Sequence, residues 1–500
     1  MGGEAQSRSR RKKRHPALVA VALAALALAA GLADAASTPG RAGLAAAVGD
    51  FTGGRLATLP FDDAQADAPA RLCLILGAPS RPSASCAAGQ GVVAITGLPP
   101  GTTGGEVSVA DVGDVNGDGL GDVAISDYAA SFDGRARSGV TWVIFGSAHP
   151  RTIDLAKLGH DGFEIGGPRA GARTGVLDES QGPGIGSVNG GERDSIVLSA
   201  RTSPAADDDE AWVVFGRQGD RAVDLAHLGD QGFTIDGTDG DNPTIIGDIN
   251  ADGRADIAIP GSGDGQIDVV YGGRSSASIN LADLGARGFR ITGLDAVAGG
   301  TIAGVGDLTG DGVDDMLVGN PWSGGDCGPN PPSLVETCPG QAYVIYGERA
   351  RTNIDVRQLG SHGFRIASSS GATDGLGATV AAAGDVNGDG RPGLLIGDGA
   401  HVFVIYGRSA GTPINTDKLG SAGFAITFPL SSGISLGPGV AAPWIADIGD
   451  LTGDGLSDIL VEPSATNQTT IDFYVVYGRK ASTTVNLARL ADAGFRITPG

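Results

Sequence analysis

A short acidic motif recurs along the chain and limits the possible folds more than any other feature. The pattern Gly-Asp-hydrophobic-(Asn/Thr)-x-Asp-Gly occurs five times, and its first Asp is Asp114, Asp248, Asp307, Asp385 or Asp450. Two degenerate copies, Ser187-Val188-Asn189-Gly190-Gly191 and Asp50-Phe51-Thr52-Gly53-Gly54, precede or interrupt this series. The seven starts lie 59 to 78 residues apart, which indicates seven repeats of similar length.

Each repeat contains four short segments typical of β-strands. An apolar segment enters the acidic motif, and a β-branched run such as Val123-Ala124-Ile125 follows it. A third run ends in aromatic-Gly, as in Trp142 to Gly146. A spacer such as Ile153 to Gly159, with room for one helical turn, then leads into Gly-Phe-x-Ile. That element recurs at Phe163, Phe233, Phe289, Phe364, Phe424 and Phe495. Four strands repeated seven times predict an all-β, seven-bladed β-propeller of four-stranded blades. A β-solenoid is the main alternative, but its coils are usually much shorter than these repeats.

The two ends of the repeat array are out of phase. The chain finishes with Gly494-Phe495-Arg496-Ile497, whereas the first repeat has no such segment before it. We therefore expect the C-terminal strand to complete the first blade and close the ring, which would remove exposed sheet edges.

The acidic motifs have the composition of calcium-binding loops. Position 1 is the first Asp; side-chain oxygens at positions 1, 3, 5 and 9, with the carbonyl of position 7, would offer the hard oxygen ligands that calcium prefers. The predicted ligands are Asp114, Asn116, Asp118, Leu120 and Asp122; Asp248, Asn250, Asp252, Arg254 and Asp256; Asp307, Thr309, Asp311, Val313 and Asp315; and Asp450, Thr452, Asp454, Leu456 and Asp458, where Leu120, Arg254, Val313 and Leu456 contribute carbonyls. An EF-hand is excluded because position 12 is always apolar. Simple hairpin turns are the competing interpretation.

Three copies depart from the full pattern. Asp385, Asn387, Asp389 and the carbonyl of Arg391 are retained in one, but Gly393 takes position 9, which predicts a weak fifth site. The copies starting at Asp50 and Ser187 lack too many oxygens, and we predict no metal there.

The N-terminus has the features of an export signal. A basic stretch from Arg8 to Arg14 precedes an apolar run from Ala17 to Ala33, and Ala33-Asp34-Ala35 offers a cleavage site. We predict a signal peptide at 1–35, a linker at 36–42 and the propeller at 43–500; an uncleaved anchor is the alternative. Cleavage removes six basic and two acidic residues, which changes the net charge from −22 to −26. This charge argues against nucleic acid or anionic membrane as a partner.

Four cysteines form two local pairs, Cys73/Cys86 and Cys327/Cys338. An even count in an exported chain predicts two disulfides. A metal site would need closer clusters with nearby histidines.

The chain resembles the N-terminal propeller of integrin α-subunits and the bacterial FG-GAP repeat proteins. The matching segments are Gly375-Leu376-Gly377-Ala378 leading to Gly384–Gly390, and Leu76-Gly77-Ala78-Pro79 in the first repeat. The resemblance covers residues 43–500. It implies a seven-bladed propeller with calcium in loops on one face, and protein or glycan recognition, usually on the other. Integrin-like signalling is not carried over.

We therefore expect a secreted or cell-surface binding or adhesion module for a protein or glycan, monomeric and without catalytic residues. The insertions at 127–139, 168–184 and 327–338 are the expected ligand loops. An extracellular polysaccharide lyase or hydrolase is the alternative, and a surface-layer scaffold is a third. Three histidines, His160, His227 and His362, are expected at the surface. The Gly433-Ile434-Ser435-Leu436-Gly437 match to a hydrolase motif lacks a strand-to-helix context. The acidic run Asp207 to Glu210 is expected to be a solvated loop.

Overall fold

The computed structural model describes seventeen segments of the chain, all within one compact unit. They are 58–62, 72–76, 92–103, 106–149, 151–176, 184–200, 210–238, 243–261, 265–295, 301–321, 323, 339–349, 352–368, 375–408, 411–428, 442–463 and 473–497.

The strands form seven separate sheets, numbered here as blades 1 to 7 in chain order. Blade 1 contains Thr58–Asp62, Leu72–Leu76, Val92–Thr96 and Ile153–Asp154; blade 2 contains Val107–Gly113, Asp122–Asp127, Val140–Ile144, Gly162–Gly166 and Val223–Asp224; blade 3 contains Thr174–Gly175, Ile196–Ala200, Glu210–Val214, Gly232–Asp236 and Ile279–Asn280; blade 4 contains Thr244–Gly247, Asp256–Pro260, Ile267–Val270, Gly288–Thr292 and Ile354–Asp355; blade 5 contains Ile302–Gly306, Asp315–Asn320, Gln341–Ile345, Gly363–Ala367 and Ile414–Asn415; blade 6 contains Thr379–Gly384, Gly393–Gly397, His401–Ile405, Gly423–Thr427 and Val485–Asn486; and blade 7 contains Trp444–Asp447, Ile459–Glu462, Phe473–Val476 and Gly494–Ile497.

The seven-bladed β-propeller predicted from the repeat is confirmed. In blades 2 to 7 the strands run in chain order from an inner to an outer strand, and these four are antiparallel. The ring ends with the C-terminal strand, but Gly494–Ile497 pairs with Phe473–Val476 of its own blade. The prediction that it completes the first blade is therefore wrong. Gly-Phe-x-Ile closes each repeat rather than opening the next, because it pairs with the aromatic-Gly strand directly before it.

Neighbouring blades are joined by a two-residue strand that the sequence did not reveal. The spacer before each Gly-Phe-x-Ile begins with two residues that pair in parallel with the outer strand of the preceding blade, as Val223–Asp224 does with Gly162–Gly166. The same pairing recurs at the other described junctions from blade 1 to blade 6. In the described residues, blades 2 to 7 each supply one strand to the preceding blade, which is the fifth strand of blades 2 to 6 and the fourth described strand of blade 1.

The rest of the spacer forms short 3-10 helices, so the predicted helical turn is present in tighter form. They are Leu155–Lys157, Gly159–Asp161, Leu225–His227, Gly229–Gln231, Leu281–Asp283, Gly285–Arg287, Val356–Gln358, Thr416–Lys418, Gly420–Ala422, Leu487–Arg489 and Ala491–Ala493. An Asp or Asn side chain caps the first helix of each spacer; these caps are Asp154, Asp224, Asn280, Asp355, Asn415 and Asn486. No helix in the described segments is long and apolar enough to cross a bilayer.

The recurrent aromatic residues pack in pairs inside each blade. In blades 2 to 7, the aromatic residue of the aromatic-Gly segment packs against the Phe of Gly-Phe-x-Ile, with ring centroids 5.9 to 6.2 Å apart. Such tilted contacts are favourable beyond the area they bury. The apolar cores are shared between adjacent blades; Ala110 of blade 2 and Leu198 of blade 3, for example, belong to one cluster. The residues that recur in the sequence therefore make recurring packing contacts in the blades.

Several predictions fall outside the described residues. These are the signal peptide, the linker, the degenerate copy at Asp50, and Cys86, Cys327 and Cys338. Cys73 is fully buried in Leu72–Leu76 and is disulfide-bonded. The two predicted pairings remain predictions.

Candidate cation-binding loops and the opposite face

The five acidic motifs connect the inner strand of a blade to its second strand. We call the nine-residue segments 114–122, 248–256, 307–315, 385–393 and 450–458 the Asp loops. Because they join equivalent strands of equivalent blades, they lie at the same end of the propeller. Connections between the second and third strands, and from an outer strand to the next blade, lie at the opposite end.

The position-1 carboxylate organises each loop. Asp114 Oδ1 accepts hydrogen bonds from the backbone N–H groups of Gly117 (2.7 Å) and Asp118 (3.1 Å), and its Oδ2 accepts one from Gly119 (2.7 Å). The loops that begin at Asp307, Asp385 and Asp450 repeat all three bonds. Asp248 makes the last two. The glycines at positions 4 and 6 have positive φ, for example +79° at Gly117, as the tight turn requires.

Positions 3 and 5 lie together at the rim of the turn. The Asn116 amide and the Asp118 carboxylate contact each other at 2.9 Å, and Asn387 and Asp389 do the same. In blade 4, Asn250 is 8% exposed and its Oδ1 has no hydrogen-bond partner. A buried amide oxygen without a donor is unfavourable unless something else satisfies it. A cation bound there would satisfy it, so the residues of this loop fit calcium. In the loops of blades 2 and 6 the equivalent oxygens of Asn116 and Asn387 accept from the N–H groups of Asp118 and Asp389.

The position-9 carboxylates are turned toward the backbone beneath the loop. Asp122 is fully buried; its Oδ2 accepts from the N–H groups of Val115 (2.9 Å) and Asn116 (3.2 Å), and its Oδ1 accepts from that of Gly146 (2.8 Å). Asp256, Asp315 and Asp458 have the same kind of partners. Position 9 therefore anchors the loop to the end of the third strand. Gly393 lacks this anchor.

This arrangement differs from the predicted convergence of carboxylates. Within the described residues no group of three or more His, Cys, Asp or Glu side chains is placed to hold a metal ion. The reason is visible in Asp122, whose oxygens face backbone amides while positions 1, 3 and 5 line the turn. Two carboxylates and one neutral oxygen per loop, with the carbonyl of position 7, remain as the candidate ligand set.

Burial raises the pKa of every position-9 carboxylate despite its backbone hydrogen bonds. Loss of solvation is the largest cause, and nearby acidic side chains of the same loop add to it. The pKa rises to about 8 for Asp122 and for Asp256, to about 7 for Asp315 and to about 6 for Asp458.

A second acidic residue, which the sequence reasoning missed, links two of the loops to the next blade. Asp194 Oδ2 of blade 3 accepts from the N–H of Asp114 (2.8 Å), and its own N–H donates to the Asp114 carbonyl (2.9 Å). Asp314 of blade 5 is bonded to Asp248 in the same way. Both occupy position 8 of the following copy, and this shared position is the signal that could have revealed them.

These links explain the glycine that precedes position 1. Gly113 has φ +67°, and a Cβ added there would lie 2.2 Å from Asp194 Oδ2. Gly247 has φ +84°, and its Cβ would lie 2.4 Å from Asp314 Oδ2. A side chain at either position would displace the acidic side chain that the next blade contributes.

The degenerate loop of blade 3 folds the same turn without carboxylates at positions 1 and 9. Ser187 Oγ accepts from the N–H of Gly191 (2.8 Å), and Ser195 Oγ accepts from that of Val188 (3.1 Å). Neutral hydroxyls are sufficient to hold the turn. The carboxylates in the five Asp loops thus exceed what turn formation requires.

Two of the predicted ligand loops meet at the opposite end of blade 2. Backbone bonds run from Gly171 N to Ala136 O (2.8 Å), from Arg173 N to Arg137 O (3.1 Å) and from Thr174 N to Ser138 O (2.9 Å). They join 127–139 to 167–176, and we call this pair of segments the arginine platform. At the start of the first segment, the Asp127 carboxylate accepts a hydrogen bond from Thr102 Oγ1 at 2.6 Å, which ties the platform to the chain before blade 2. The remaining predicted ligand loop, 327–338, lies outside the described residues, as do 177–183.

The histidines and the remaining motifs named from the sequence lie at the surface or outside the described residues. His160 and His227 are exposed in the spacer 3-10 helices and His362 in the spacer turn, each beside an acidic side chain, so their predicted surface location is confirmed. The Gly433–Gly437 motif and Asp207–Asp209 lie outside the described residues.

Comparison with known proteins does not assign the chain to a family. The chain matches no protein-family model, and a search of curated proteins finds no significant match.

Proposed function

We propose that this chain is an exported, calcium-binding β-propeller of the FG-GAP type that serves as a binding or adhesion module for an extracellular protein or glycan. In this proposal one face of the ring holds cations and the other face presents the ligand loops. The cations are structural, and the ligand does not touch them.

The observation that carries the proposal is the loop geometry. Positions 1, 3 and 5 line the same turn in five copies, and Asn250 Oδ1 is buried there without a donor. The serine-based loop of blade 3 supports it further, because it makes the same turn without the position-1 and position-9 carboxylates. Placing two carboxylates in a turn that does not need them costs electrostatic energy unless a cation compensates.

Calcium would supply charge neutralisation and cross-link each loop. Asp114, Asn116 and Asp118 would hold it with the carbonyl of Leu120, and the other Asp loops would do so with their equivalents. Because the cation binds only the folded loop, each site adds about 2.7 kcal/mol when calcium is 100-fold above its Kd.

Thermal unfolding of the purified protein after chelation, followed by titration with calcium or magnesium, tests the proposal. We expect the melting temperature to rise with calcium and to rise much less with magnesium, which prefers a smaller octahedral shell with retained water. An equal response to both cations, or no response, would contradict it.

A further inference from the structure

The Asp loops of the adjacent blades 4 and 5 are joined by one carboxylate. Asp314 occupies position 8 of the blade 5 loop, between Val313, whose carbonyl is a candidate ligand, and the anchoring Asp315. Its Oδ2 accepts from the N–H of Asp248, position 1 of the blade 4 loop, at 2.8 Å, and its own N–H donates to the Asp248 carbonyl at 3.3 Å. Both backbone groups of Asp248 are thus held by a residue of the blade 5 loop.

Two further contacts from blade 5 hold the backbone of the blade 4 loop. The N–H of Glu348 donates to the carbonyl of Ile249 at 2.8 Å, and Arg349 Nη1 donates to the carbonyl of Ala251 at 3.3 Å. These carbonyls belong to positions 2 and 4 of the loop, beside the candidate ligands at positions 1 and 3. The position of those ligands therefore depends on blade 5.

The blade 4 loop is satisfied less fully by its own hydrogen bonds than the blade 2 loop is. Asp248 makes two of the three bonds from loop N–H groups that Asp114 makes. Asn250 Oδ1 is buried without a donor, whereas Asn116 Oδ1 accepts from the N–H of Asp118. Support from the neighbouring blade consequently matters more to the geometry of this loop.

The Asp314 carboxylate also interacts with the charges of both loops. It is half-buried, and the position-1 carboxylates of blades 4 and 5, Asp248 and Asp307, both repel it. Like charges repel more strongly in a partly desolvated setting than in water. Positive charge in either loop would offset part of this repulsion, and so would favour the ionised Asp314 that holds the two loops together.

We propose that Asp314 couples the cation sites of blades 4 and 5, so that a cation bound in one loop strengthens binding in the other. This inference rests on the proposed cation role and adds a regulation of it. Ligation by the Val313 carbonyl would order the segment that carries Asp314, and that segment positions Asp248 for the neighbouring site. The entropy of ordering is then lost once for two binding events, which gives positive coupling that acts equally in both directions. Repulsion between two bound cations acts in the opposite direction, so the sign of the coupling is a direct test.

Blade 2 provides the matched comparison. Asp194 of blade 3 holds Asp114 by the same two bonds, at 2.8 and 2.9 Å, as Asp314 holds Asp248. The blade 3 loop, however, has serine instead of a carboxylate at positions 1 and 9, and we predict no cation there. The same contact between blades thus exists without a second site to couple.

A double-mutant cycle on the full chain tests the coupling. Asp252→Ala and Asp311→Ala each remove the exposed position-5 ligand, of blade 4 and blade 5 respectively. Urea unfolding in chelator and in saturating calcium gives the stabilisation by calcium of the wild type, the two single variants and the double variant. The control cycle pairs Asp252→Ala with Asp118→Ala of blade 2, because blade 3 separates these loops. The blade 4–5 cycle is then repeated in the Asp314→Ala and Asp194→Ala backgrounds.

We expect the two single losses in the blade 4–5 cycle to sum to more than the loss in the double variant, by at least the equivalent of a fivefold change in affinity, about 1 kcal/mol. The losses should be additive in the control cycle and in the Asp314→Ala background, but not in the Asp194→Ala background. The first two cycles do not depend on the folding of either background variant.

Additive losses in the blade 4–5 cycle, or a double loss larger than the sum, would overturn the coupling while an intact calcium response leaves the proposed function standing. Loss of the coupling in Asp194→Ala as well as in Asp314→Ala would overturn the assignment to Asp314. If calcium stabilised none of the proteins, the inference and the proposed function would both be wrong.

Discussion

Replacing Asp122 by Ala separates the anchoring role of position 9 from cation binding. The carboxylate accepts three backbone N–H bonds in a fully buried setting. A methyl group accepts none of them, whether the carboxyl it replaces is ionised or protonated. Each buried donor left without an acceptor costs roughly 1–3 kcal/mol.

The matched variant is Asp118→Ala at position 5. Asp118 is exposed, and its carboxylate accepts from the N–H of Leu120 at 2.8 Å and from the Asn116 amide at 2.9 Å, bonds that water can replace. This variant should therefore change the stability of the cation-free protein by less than about 0.5 kcal/mol. It should lose the part of the calcium response that belongs to this loop.

Urea unfolding of both variants, in chelator and in saturating calcium, provides the assay. Asp122→Ala should lower the midpoint in chelator, whereas Asp118→Ala should lower it only in calcium. If Asp122→Ala left the chelated protein unchanged, or if Asp118→Ala destabilised it as strongly, the division of roles would be refuted.

Three further outcomes are expected. Gly113→Ala should destabilise the protein more than Gly119→Ala in thermal unfolding, because both have positive φ but only the first Cβ would meet a neighbouring blade, while nothing lies within 4 Å of the second; equal effects would contradict the blade contact. In chelator, stability should fall as pH rises from about 5 to 8, since the position-9 carboxylates have raised pKa values, Asp122 to about 8, and their contribution is lost as they ionise; calcium should reduce this fall, and a stability that rises with pH in chelator would count against it. Tyr406→Phe should cost about 1–2 kcal/mol in urea unfolding, because the Tyr406 hydroxyl donates to the carbonyls of Arg479 (3.0 Å) and Ala481 (3.2 Å) in the next blade; an unchanged midpoint would show that these bonds do not hold the blades together.

The propeller could be predicted because its repeat is local. Strands, acidic turns and the aromatic pairs each follow from residues within about 50 positions, and all recur. The blade to which each Gly-Phe-x-Ile strand belongs could not be predicted. The sequence of Gly494–Ile497 is compatible with the first or the last blade, and only its pairing with Phe473–Val476 decides between them. The two-residue strand at Val223–Asp224 was also hidden, since it pairs with a strand from the preceding repeat.

The candidate site was predictable in part. Composition identified positions 1, 3 and 5 of each Asp loop, whereas the direction in which Asp122 points depends on the N–H of Gly146, 24 residues away. The arginine platform was anticipated only as two separate insertions. Their backbone ladder, such as the bond from Arg173 to Arg137, is a tertiary contact that neither segment encodes alone.

Counting bound calcium tests the central claim most directly. Equilibrium dialysis followed by elemental analysis should give four to five calcium ions per chain, and Asp118→Ala, Asp252→Ala, Asp311→Ala and Asp454→Ala should each remove one. Gly191→Ala in the serine-based loop should remove none. A count near zero, or a count that these four variants leave unchanged, would contradict the account.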